Sequence, residues 1–187
     1  MDLSPTLSKF VLHWGEMGTR WGVNRTVAQI HALLYIHGRP MHAEEITETL
    51  KVARSNVSNS LRELQGWNLV KLVHLPDDRR DHFESSTDVW ELLRTIVRER
   101  QRREIAPTID VLRELLDDPA LKNDPPQART RLRETLALLQ TLTAWSDEML
   151  KLDTGTLNKV LTLGAKIKRL LGRDKPAPTE TTPRKKP

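Results

Sequence analysis

The chain of 187 residues contains no cysteine, which excludes disulfide bonds and thiolate-ligated metal sites. It also has no apolar run near the length of about 18 residues that a membrane-spanning helix requires. The N-terminus lacks the basic segment followed by an apolar segment that is typical of a secretory signal. These absences predict a soluble cytoplasmic protein without a membrane span.

Motifs of enzyme chemistry are missing as well. There is no glycine-rich phosphate loop, no nucleophile motif and no carboxylate pair at a defensible spacing. The six histidines are scattered, and His37 and His42 lie on either side of a Gly-Arg-Pro turn. They therefore do not share a helical face, as two metal ligands on one helix would. We predict neither an enzyme nor a metal or cofactor site.

The stretch from residue 44 to residue 64 instead predicts two short amphipathic helices. Apolar residues recur at helical spacing on both sides of a three-residue break, Lys51-Val52-Ala53. Two short helices joined by such a turn form a helix-turn-helix. The inward positions are Ile46 and Leu50 in the first helix, and Val57, Leu61 and Leu64 in the second.

The second helix presents a polar face opposite its apolar positions, since each residue turns the helix by about 100°. Asn can pair in a bidentate way with adenine, Ser bonds to most base edges, and Arg suits guanine or phosphate. A solvated surface helix would favour Glu and Lys, because Ser and Asn are weak helix formers. We therefore predict that this face binds DNA, through Arg54, Ser55, Asn56, Ser58, Asn59 and Arg62.

A β-hairpin is predicted directly after this helix. Val70–Leu75 alternates as a strand does, Pro76-Asp77-Asp78 is typical of a turn, and Asp81–Ser86 is suited to return as a second strand. Arg79 and Arg80 close the turn. A basic hairpin that follows a helix-turn-helix forms a wing, and we predict that these two arginines contact phosphate or the minor groove.

Charge is distributed unevenly along the chain, whose net charge is +5. Residues 172–187 carry five basic and two acidic residues, four prolines and no large apolar side chain, so we predict a disordered basic tail. The predicted DNA-binding segment, residues 51–80, carries six basic and three acidic residues. This local excess, rather than the overall charge, supports a nucleic-acid partner.

Helical spacing predicts further helices on both sides of this module. The first, from about Thr6 to Arg20, contains Gly15 and Gly18, which we interpret as points of close approach by another helix. A later helix runs to about Glu104 and is broken or kinked at Pro107. The predicted domains are an N-terminal packing or dimerisation helix (1–23), a winged helix-turn-helix (24–87), a helical dimerisation region (88–171) and the tail (172–187).

Two clusters leave alternatives open. The arginines that follow the predicted wing are consistent either with a solvated helix face, since Glu99 and Glu104 are interleaved with them, or with additional phosphate contacts. These arginines are Arg94, Arg98, Arg100, Arg102 and Arg103. The second cluster is aromatic and is consistent either with core packing, as helical spacing favours, or with an aromatic cage for a small cation. It comprises Trp14, Trp21, Tyr35, Trp67 and Trp90.

The order helix, helix, helix-turn-helix, basic wing, helices resembles the MarR-type winged-helix regulators. The segment Asp77–Glu84, DDRRDHFE, resembles the acidic-arginine wing of that family, and the stretches His13–Leu34 and Val52–Trp67 look more narrowly like its GbsR-like branch. The resemblance covers about residues 7–105. It departs from the general helix-turn-helix pattern at Lys51, where Gly often supports the turn, and at Ala53, where a Ser or Thr cap is usual.

The resemblance implies a mainly α, α+β winged helix-turn-helix with a helical dimerisation extension. It implies a homodimeric transcription factor, usually a repressor, that binds a pseudo-palindromic double-stranded DNA operator. Small molecules relieve some of these repressors, and the GbsR-like branch points to a quaternary ammonium effector, which we place near Trp14, Trp21 and Trp90. The alternative is a winged helix that binds protein and has no sequence-specific DNA binding. The operator, the regulated genes and the sign of regulation stay open.

Overall fold

The computed structural model describes the backbone of residues 3–171 and the side chains of residues 3–164. The predicted basic tail, residues 172–187, lies outside the described residues. The chain divides into two compact units, residues 1–143 and 144–187. In chain order the described elements are α1 (Pro5–Arg20), α2 (Arg25–His37), β1 (Met41–His42), α3 (Ala43–Leu50), α4 (Arg54–Gly66), β2 (Val70–Leu75), β3 (Asp78–Ser85), α5 (Val89–Arg100), a π-helical segment (Gln101–Ile105), α6 (Ala106–Asp117), a 3₁₀ turn (Pro119–Asn123), α7 (Pro126–Lys151) and α8 (Thr154–Leu171).

Helices α1 and α2 pack closely because two glycines remove side-chain bulk between them. A Cβ atom at Gly18 would lie 2.5 Å from the Cβ atom of Ala28, and one at Gly15 would lie 2.6 Å from Cγ of Gln29. Neither distance is compatible with a side chain in that position. The interpretation of both glycines as points of close helix approach is confirmed.

Helix α2 is the centre of the first unit, and it packs against α1, α4 and β3. Its start is capped by the Asn24 side chain, which accepts a hydrogen bond from the Thr26 N–H at 2.8 Å. Its end is the left-handed Gly38, with φ of 69°. Every residue from Val27 to Leu34 is buried, so the fold covers all sides of this part of the helix.

The predicted helix-turn-helix is confirmed. Helix α3 and helix α4 are joined at Lys51-Val52-Ala53, and Ile46, Val57 and Leu64 are all buried in the core. Lys51 adopts the left-handed conformation, with φ of 54°, at the position where Gly often occurs. Because a side chain is disfavoured in that conformation, the turn is formed at some conformational cost.

The wing belongs to a three-stranded antiparallel sheet with strand order β1-β3-β2. The hairpin β2–β3 was predicted, whereas strand β1 was not, since its two residues are too short to show an alternating pattern. Met41 pairs with Phe83 and His42 pairs with His82, so β1 joins the start of α3 to the wing. The sheet therefore holds the wing beside the helix-turn-helix.

The helix that follows the wing continues past Pro107, but its hydrogen-bond pattern changes just before this residue. A proline in a helix lacks the N–H donor and its ring clashes with the carbonyl group four residues earlier. Here a π-helical segment, Gln101–Ile105, lies just before Ala106 and Pro107, and the Ala106 N–H donates to the Gln101 carbonyl five residues back. This wider turn accommodates the proline, and α5, the π segment and α6 are contiguous. The predicted break is therefore absent, while the predicted kink stays a prediction.

Helices α7 and α8 complete the described chain, and the boundary between the two units falls within α7, after Thr143. Several large apolar side chains of α7 are exposed, among them Leu138, Leu142 and Trp145. No helix in the described part of the chain combines the length and apolar character needed to cross a membrane. The fold is mainly helical with a small antiparallel sheet, which confirms the predicted α+β winged helix.

Candidate nucleic-acid interface

Helix α4 is anchored by its apolar side chains and leaves its polar face in solvent. Val57, Leu61 and Leu64 are at most 2% exposed, as predicted. Ser60, which the apolar spacing did not single out, is buried with them at 5% exposure. The predicted DNA-binding side chains lie on the outer side, where Arg54, Ser55, Asn56, Asn59 and Arg62 are exposed and Ser58 is half-buried.

The N-terminal end of α4 has no side-chain cap. Ala53 occupies the N-cap position, and among the described residues no side chain accepts from the first N–H groups of the helix. These groups carry the positive end of the helix dipole, which favours anions such as phosphate. The sequence departure at Ala53 therefore corresponds to an open, polarised helix end.

Intramolecular contacts divide the outer side chains of α4 into two groups. Arg54 donates to Glu44 Oε1 at 3.0 Å and to Ser58 Oγ at 2.6 Å, and Arg62 donates to Asn59 Oδ1 at 3.1 Å. In contrast, the side chains of Ser55 and Asn56 have no hydrogen-bond partner among the residues that the structure describes. Ser55 and Asn56 are thus the most available donors and acceptors of this face.

The wing arginines lie in a strand rather than in the turn. Strand β3 begins at Asp78, which pairs with Leu75, so only Pro76 and Asp77 form the turn. The predicted start of the return strand, Asp81, is therefore wrong by three residues. The reason is local: Asp78 accepts from the Arg80 N–H at 3.0 Å, which orders the backbone that the sequence assigned to the turn.

The two wing arginines have different surroundings. Arg80 Nε donates to both carboxylate oxygens of Asp78 at 2.9 Å, and these hydrogen bonds hold the pKa of Asp78 well below its usual range. The Arg79 side chain is exposed and makes no ion pair with the described part of the chain. Arg79 is therefore the more available cation of the wing.

A cleft of about 360 Å³ separates helix α4 from the wing. On the helix side it is lined by Arg54, Ser58 and Arg62, and on the wing side by Arg80 and Phe83. Four of the eight predicted DNA-binding residues therefore line this cleft, while Ser55 and Asn56 lie on the exposed face of α4. The arrangement suits a polyanion that contacts the helix and the wing together.

The arginine cluster after the wing is mostly paired within the protein. Arg102 Nη2 lies 2.6 Å and Arg103 Nε 3.0 Å from Glu99 Oε2, while Arg100 Nη1 lies 2.9 Å from Glu104 Oε1. The hydrogen bonds from Arg102, the largest cause, and from Arg103, the next, lower the pKa of Glu99 to about 2. The pairing at spacings of three and four was visible in the sequence, but the burial of Glu99 was not.

A second cavity, of about 480 Å³, lies among α1, α2, the end of α4 and α5. Its aromatic wall contains Trp14 and Trp21, whose ring centroids are 6.2 Å apart in an edge-to-face arrangement. The third tryptophan of the wall is Trp67, which belongs to the aromatic cluster but not to the three predicted effector-binding residues, and Trp90 is not among the lining residues. Trp21 is 57% exposed, so the alternative of core packing is wrong for this side chain.

One buried histidine, His31, is among the residues that line the aromatic cavity. His31 is only 7% exposed, and its Nε2 atom is buried without a hydrogen-bond partner in the described chain. Burial lowers the pKa of His31 to about 4, so the ring is neutral near pH 7. The other polar residues of the wall are Glu63 and Arg100. The described residues contain no group of three or more side chains suited to hold a metal ion.

Comparison with known proteins finds a family match in the same part of the chain. Residues 21–81 match the model of the MarR family. A crystal structure described as that of a transcriptional regulator has a TM-score of 0.66 and 24% identity, over 78% of this chain and 96% of that chain. Transcriptional regulator Tm0710 from Thermotoga maritima is 16% identical, with a TM-score of 0.37 over 76% of this chain and 92% of that chain. No curated protein matches the chain.

The match to the family model begins at Trp21 and ends at Asp81. It therefore includes α2, the whole helix-turn-helix, strand β2 and the first residues of β3. The helices that precede and follow this segment lie outside the match. Residues 21–81 carry the sequence pattern of the MarR family, and the chain has a winged-helix fold.

Proposed function

We propose that the protein is a sequence-specific DNA-binding transcriptional regulator that acts as a repressor. The observation that carries the proposal is the row of exposed Ser55, Asn56 and Asn59 on a recognition helix with buried apolar anchors. Asn and Ser side chains near the N-terminal end of such a helix are suited to base edges in the major groove. The match of residues 21–81 to the MarR family model supports the same function.

The proposed contacts fall into two classes. Ser55, Asn56 and Asn59 contact base edges and set the preferred sequence, while Arg79 contacts phosphate or the minor groove and sets affinity. The open N-terminal end of α4 adds a phosphate contact through backbone N–H groups. Arg54, Ser58, Arg62 and Arg80 join the interface by exchanging their present intramolecular partners for DNA.

The test is the selection of duplexes from a random DNA library by the full-length protein, followed by affinity measurements at several salt concentrations. We expect a defined preferred sequence, and an affinity that falls steeply as salt is added, because bound phosphates release counterions. A protein without any sequence preference would contradict the proposal. Binding to a protein partner that is insensitive to salt would favour the interaction module instead.

We propose further that the regulator is a homodimer. One recognition helix offers few base contacts, and dimers double them by binding two half-sites about one helical turn apart. Exposed apolar side chains outside the winged helix, such as Val111, Leu138 and Leu142, support an interface formed by α6 and α7. Sedimentation at micromolar concentration is expected to give the mass of a dimer, and a monomer with and without DNA would contradict this.

We propose that the aromatic cavity binds a small-molecule effector. Three tryptophans in the wall and a volume of about 480 Å³ support a ligand site. Quaternary ammonium compounds bind aromatic walls through cation–π attraction, and the resemblance of His13–Leu34 to the GbsR-like branch points to the same class. Trp67, which lies at the end of the recognition helix, replaces Trp90 in this proposal.

Titration with choline and with glycine betaine, at millimolar concentration, tests the effector class. Tryptophan fluorescence reports occupation of the cavity, and affinity for the selected DNA sequence reports control. A coupling of about 1–3 kcal/mol would change DNA affinity by about 5- to 150-fold. The test variant is Trp21→Phe, which removes a tryptophan of the cavity wall. The matched control is Trp145→Phe, which removes an exposed tryptophan outside the cavity. No response in either measurement would exclude both compounds as effectors.

A further inference from the structure

The C-terminal end of the recognition helix α4 is held by contacts from the long helix that follows the wing. This long helix consists of α5, the π-helical segment and α6, from Val89 to Asp117. The Gly66 carbonyl, which has no partner within α4, accepts a hydrogen bond from Arg103 Nη2. The Arg103 guanidinium also stacks on Trp67, with Cζ 4.5 Å from the ring centroid. A cation at this end is favourable, because the last carbonyl groups carry the negative end of the helix dipole.

Glu99 keeps this arginine in place. Its Oε2 atom accepts from Arg103 Nε at 3.0 Å and from Arg102 Nη2 at 2.6 Å. Its Oε1 atom accepts from Asn68 Nδ2 at 2.8 Å, and Asn68 has the left-handed φ of 56° that ends α4. Glu99 is only 7% exposed, so a carboxylate in this position is stable only with several donors. Its donors are Asn68, which follows the end of α4, and Arg102 and Arg103 of the π-helical segment, so Glu99 links these two parts of the chain.

The network spans residues distant in sequence, since 31 residues separate Asn68 from Glu99 and 37 separate Gly66 from Arg103. Arg102 and Arg103 belong to the π-helical segment, whose wide turn begins directly after α5. The contacts therefore hold the end of α4 against the π-helical segment of the long helix.

We propose that Glu99 and Arg103 are positioning residues for DNA binding. They hold the C-terminal end of α4 on the long helix, so that Ser55 and Asn56 at the other end meet the DNA at one angle. The reason is that a rigid helix 13 residues long, fixed at one end, transmits a small rotation at that end to the side chains at the other. Base readout requires such fixed geometry, whereas phosphate contact tolerates some variation.

This inference rests on the proposed function, and its test compares Glu99→Gln with the parent protein. The change raises the net charge by one, so electrostatics alone would strengthen binding to all DNA. Loss of positioning instead weakens binding to the selected sequence, while binding to a scrambled duplex stays equal or rises. We expect the ratio of the two affinities to fall by about tenfold, similar to the loss of one good base contact.

The matched control is Asp110→Asn, which makes the same change of charge in an ion pair of the same contiguous helix. Arg113 Nη1 lies 3.0 Å from Asp110 Oδ1, and both side chains are more than half exposed. We expect the ratio of affinities to stay at the parent value in this variant. A fall of equal size in Asp110→Asn would overturn the inference, since it would then reflect charge or helix stability rather than positioning.

Arg103→Lys separates positioning from direct phosphate contact. Lysine keeps the charge but loses the planar fork that donates to two partners while it stacks on Trp67. We expect Arg103→Lys to lower the affinity ratio about as much as Glu99→Gln, with the salt dependence of binding unchanged. If Arg103 contacted phosphate, lysine would preserve affinity and Arg103→Ala would reduce the salt slope by about one unit, which would overturn the inference.

Amide hydrogen exchange tests the network without DNA. In Glu99→Gln we expect the amides of residues 67–69 to exchange about tenfold faster, while those in the centre of α4 keep the parent rates. Faster exchange with an unchanged affinity ratio would show a purely structural role and overturn the inference, as would unchanged exchange. A parent protein that prefers no DNA sequence would instead overturn the proposed function, and the exchange result distinguishes these failures.

Discussion

At the N-terminal end of the recognition helix α4, the N-cap residue Ala53 provides no side-chain cap, whereas at the C-terminal end Arg103 donates to the Gly66 carbonyl and stacks on Trp67. Both ends of any helix leave backbone groups without intrahelical partners. In α4 the protein supplies partners only at the end that lies against the long helix. The N-terminal N–H groups remain available for an external anion.

This difference assigns separate tasks to the two ends. The free end carries Ser55 and Asn56, whose side chains lack partners in the described structure, and it faces the surface that we propose binds DNA. The held end carries no predicted DNA contact and adjoins the aromatic cavity through Trp67. A helix that must bind DNA in a fixed orientation gains from one anchored end and one open end.

The largest effect is expected at the free end. Asn56→Ala should cost about 1–3 kcal/mol of binding free energy at the preferred DNA sequence, because one bidentate base contact is lost. Binding to scrambled DNA should change little. Measuring both affinities at one salt concentration checks this, with Asn123→Ala in the exposed 3₁₀ turn as the matched control. An intact sequence preference in Asn56→Ala would contradict the division of tasks.

A side-chain cap at the N-terminal end of α4 should stabilise the fold and weaken DNA binding. In Ala53→Ser, a hydroxyl oxygen can accept from the first N–H groups of α4 and should stabilise the fold by about 1 kcal/mol. The same hydrogen bond competes with phosphate, so affinity for all DNA sequences should fall. Thermal unfolding and DNA titration are the two measurements. A rise in both stability and affinity would contradict an open helix end that binds phosphate.

The wing arginines should differ in a smaller way. Arg79→Ala should weaken binding to all sequences and reduce the salt slope by about one unit, because an unpaired cation is lost. Arg80→Ala should have the weaker effect, because Arg80 must first give up its hydrogen bonds to Asp78. Arg129→Ala, an exposed arginine of α7, is the control for net charge. Equal effects of Arg79→Ala and Arg80→Ala would contradict this.

The smallest effect concerns the pH dependence of stability at the held end. The pKa of Glu99 is lowered from 4.5 to about 2 in the folded protein, so its contribution is fully present above the ordinary carboxyl pKa. It should disappear as the pH falls through about 2, where Glu99 gains a proton. The melting temperatures of the parent and Glu99→Gln should therefore converge as the pH falls from about 5 to about 2, the range that these two pKa values define. A constant difference would contradict the role of the carboxylate.

Local patterns in the sequence were sufficient to predict the helix-turn-helix and the hairpin. The spacing of Val57, Leu61 and Leu64 placed them in the core, and the structure confirms it. Since an amphipathic helix must turn its apolar face inward, the outward position of Ser55 and Asn56 followed from the same spacing. Their role in DNA binding stays a prediction.

Features that depend on distant residues were not predictable in the same way. Strand β1 exists because β3 pairs with Met41 and His42, and two residues carry no periodic pattern of their own. The tryptophan that completes the aromatic wall is Trp67 rather than Trp90, because the end of α4, and not the start of α5, borders the cavity. Of the break or kink expected at Pro107, the break is absent, because a π-helical segment just before the proline keeps the chain helical.

The sequence by itself determined which elements form and which face of each is apolar, because helical and strand periodicity act over a few residues. It also determined that α4 would begin without a cap, since Ala53 has no acceptor in its side chain. Only the tertiary structure decided that Glu99 is buried and that Arg103 holds the end of α4. Such contacts join residues more than 30 positions apart, and only the packing of complete elements brings them together.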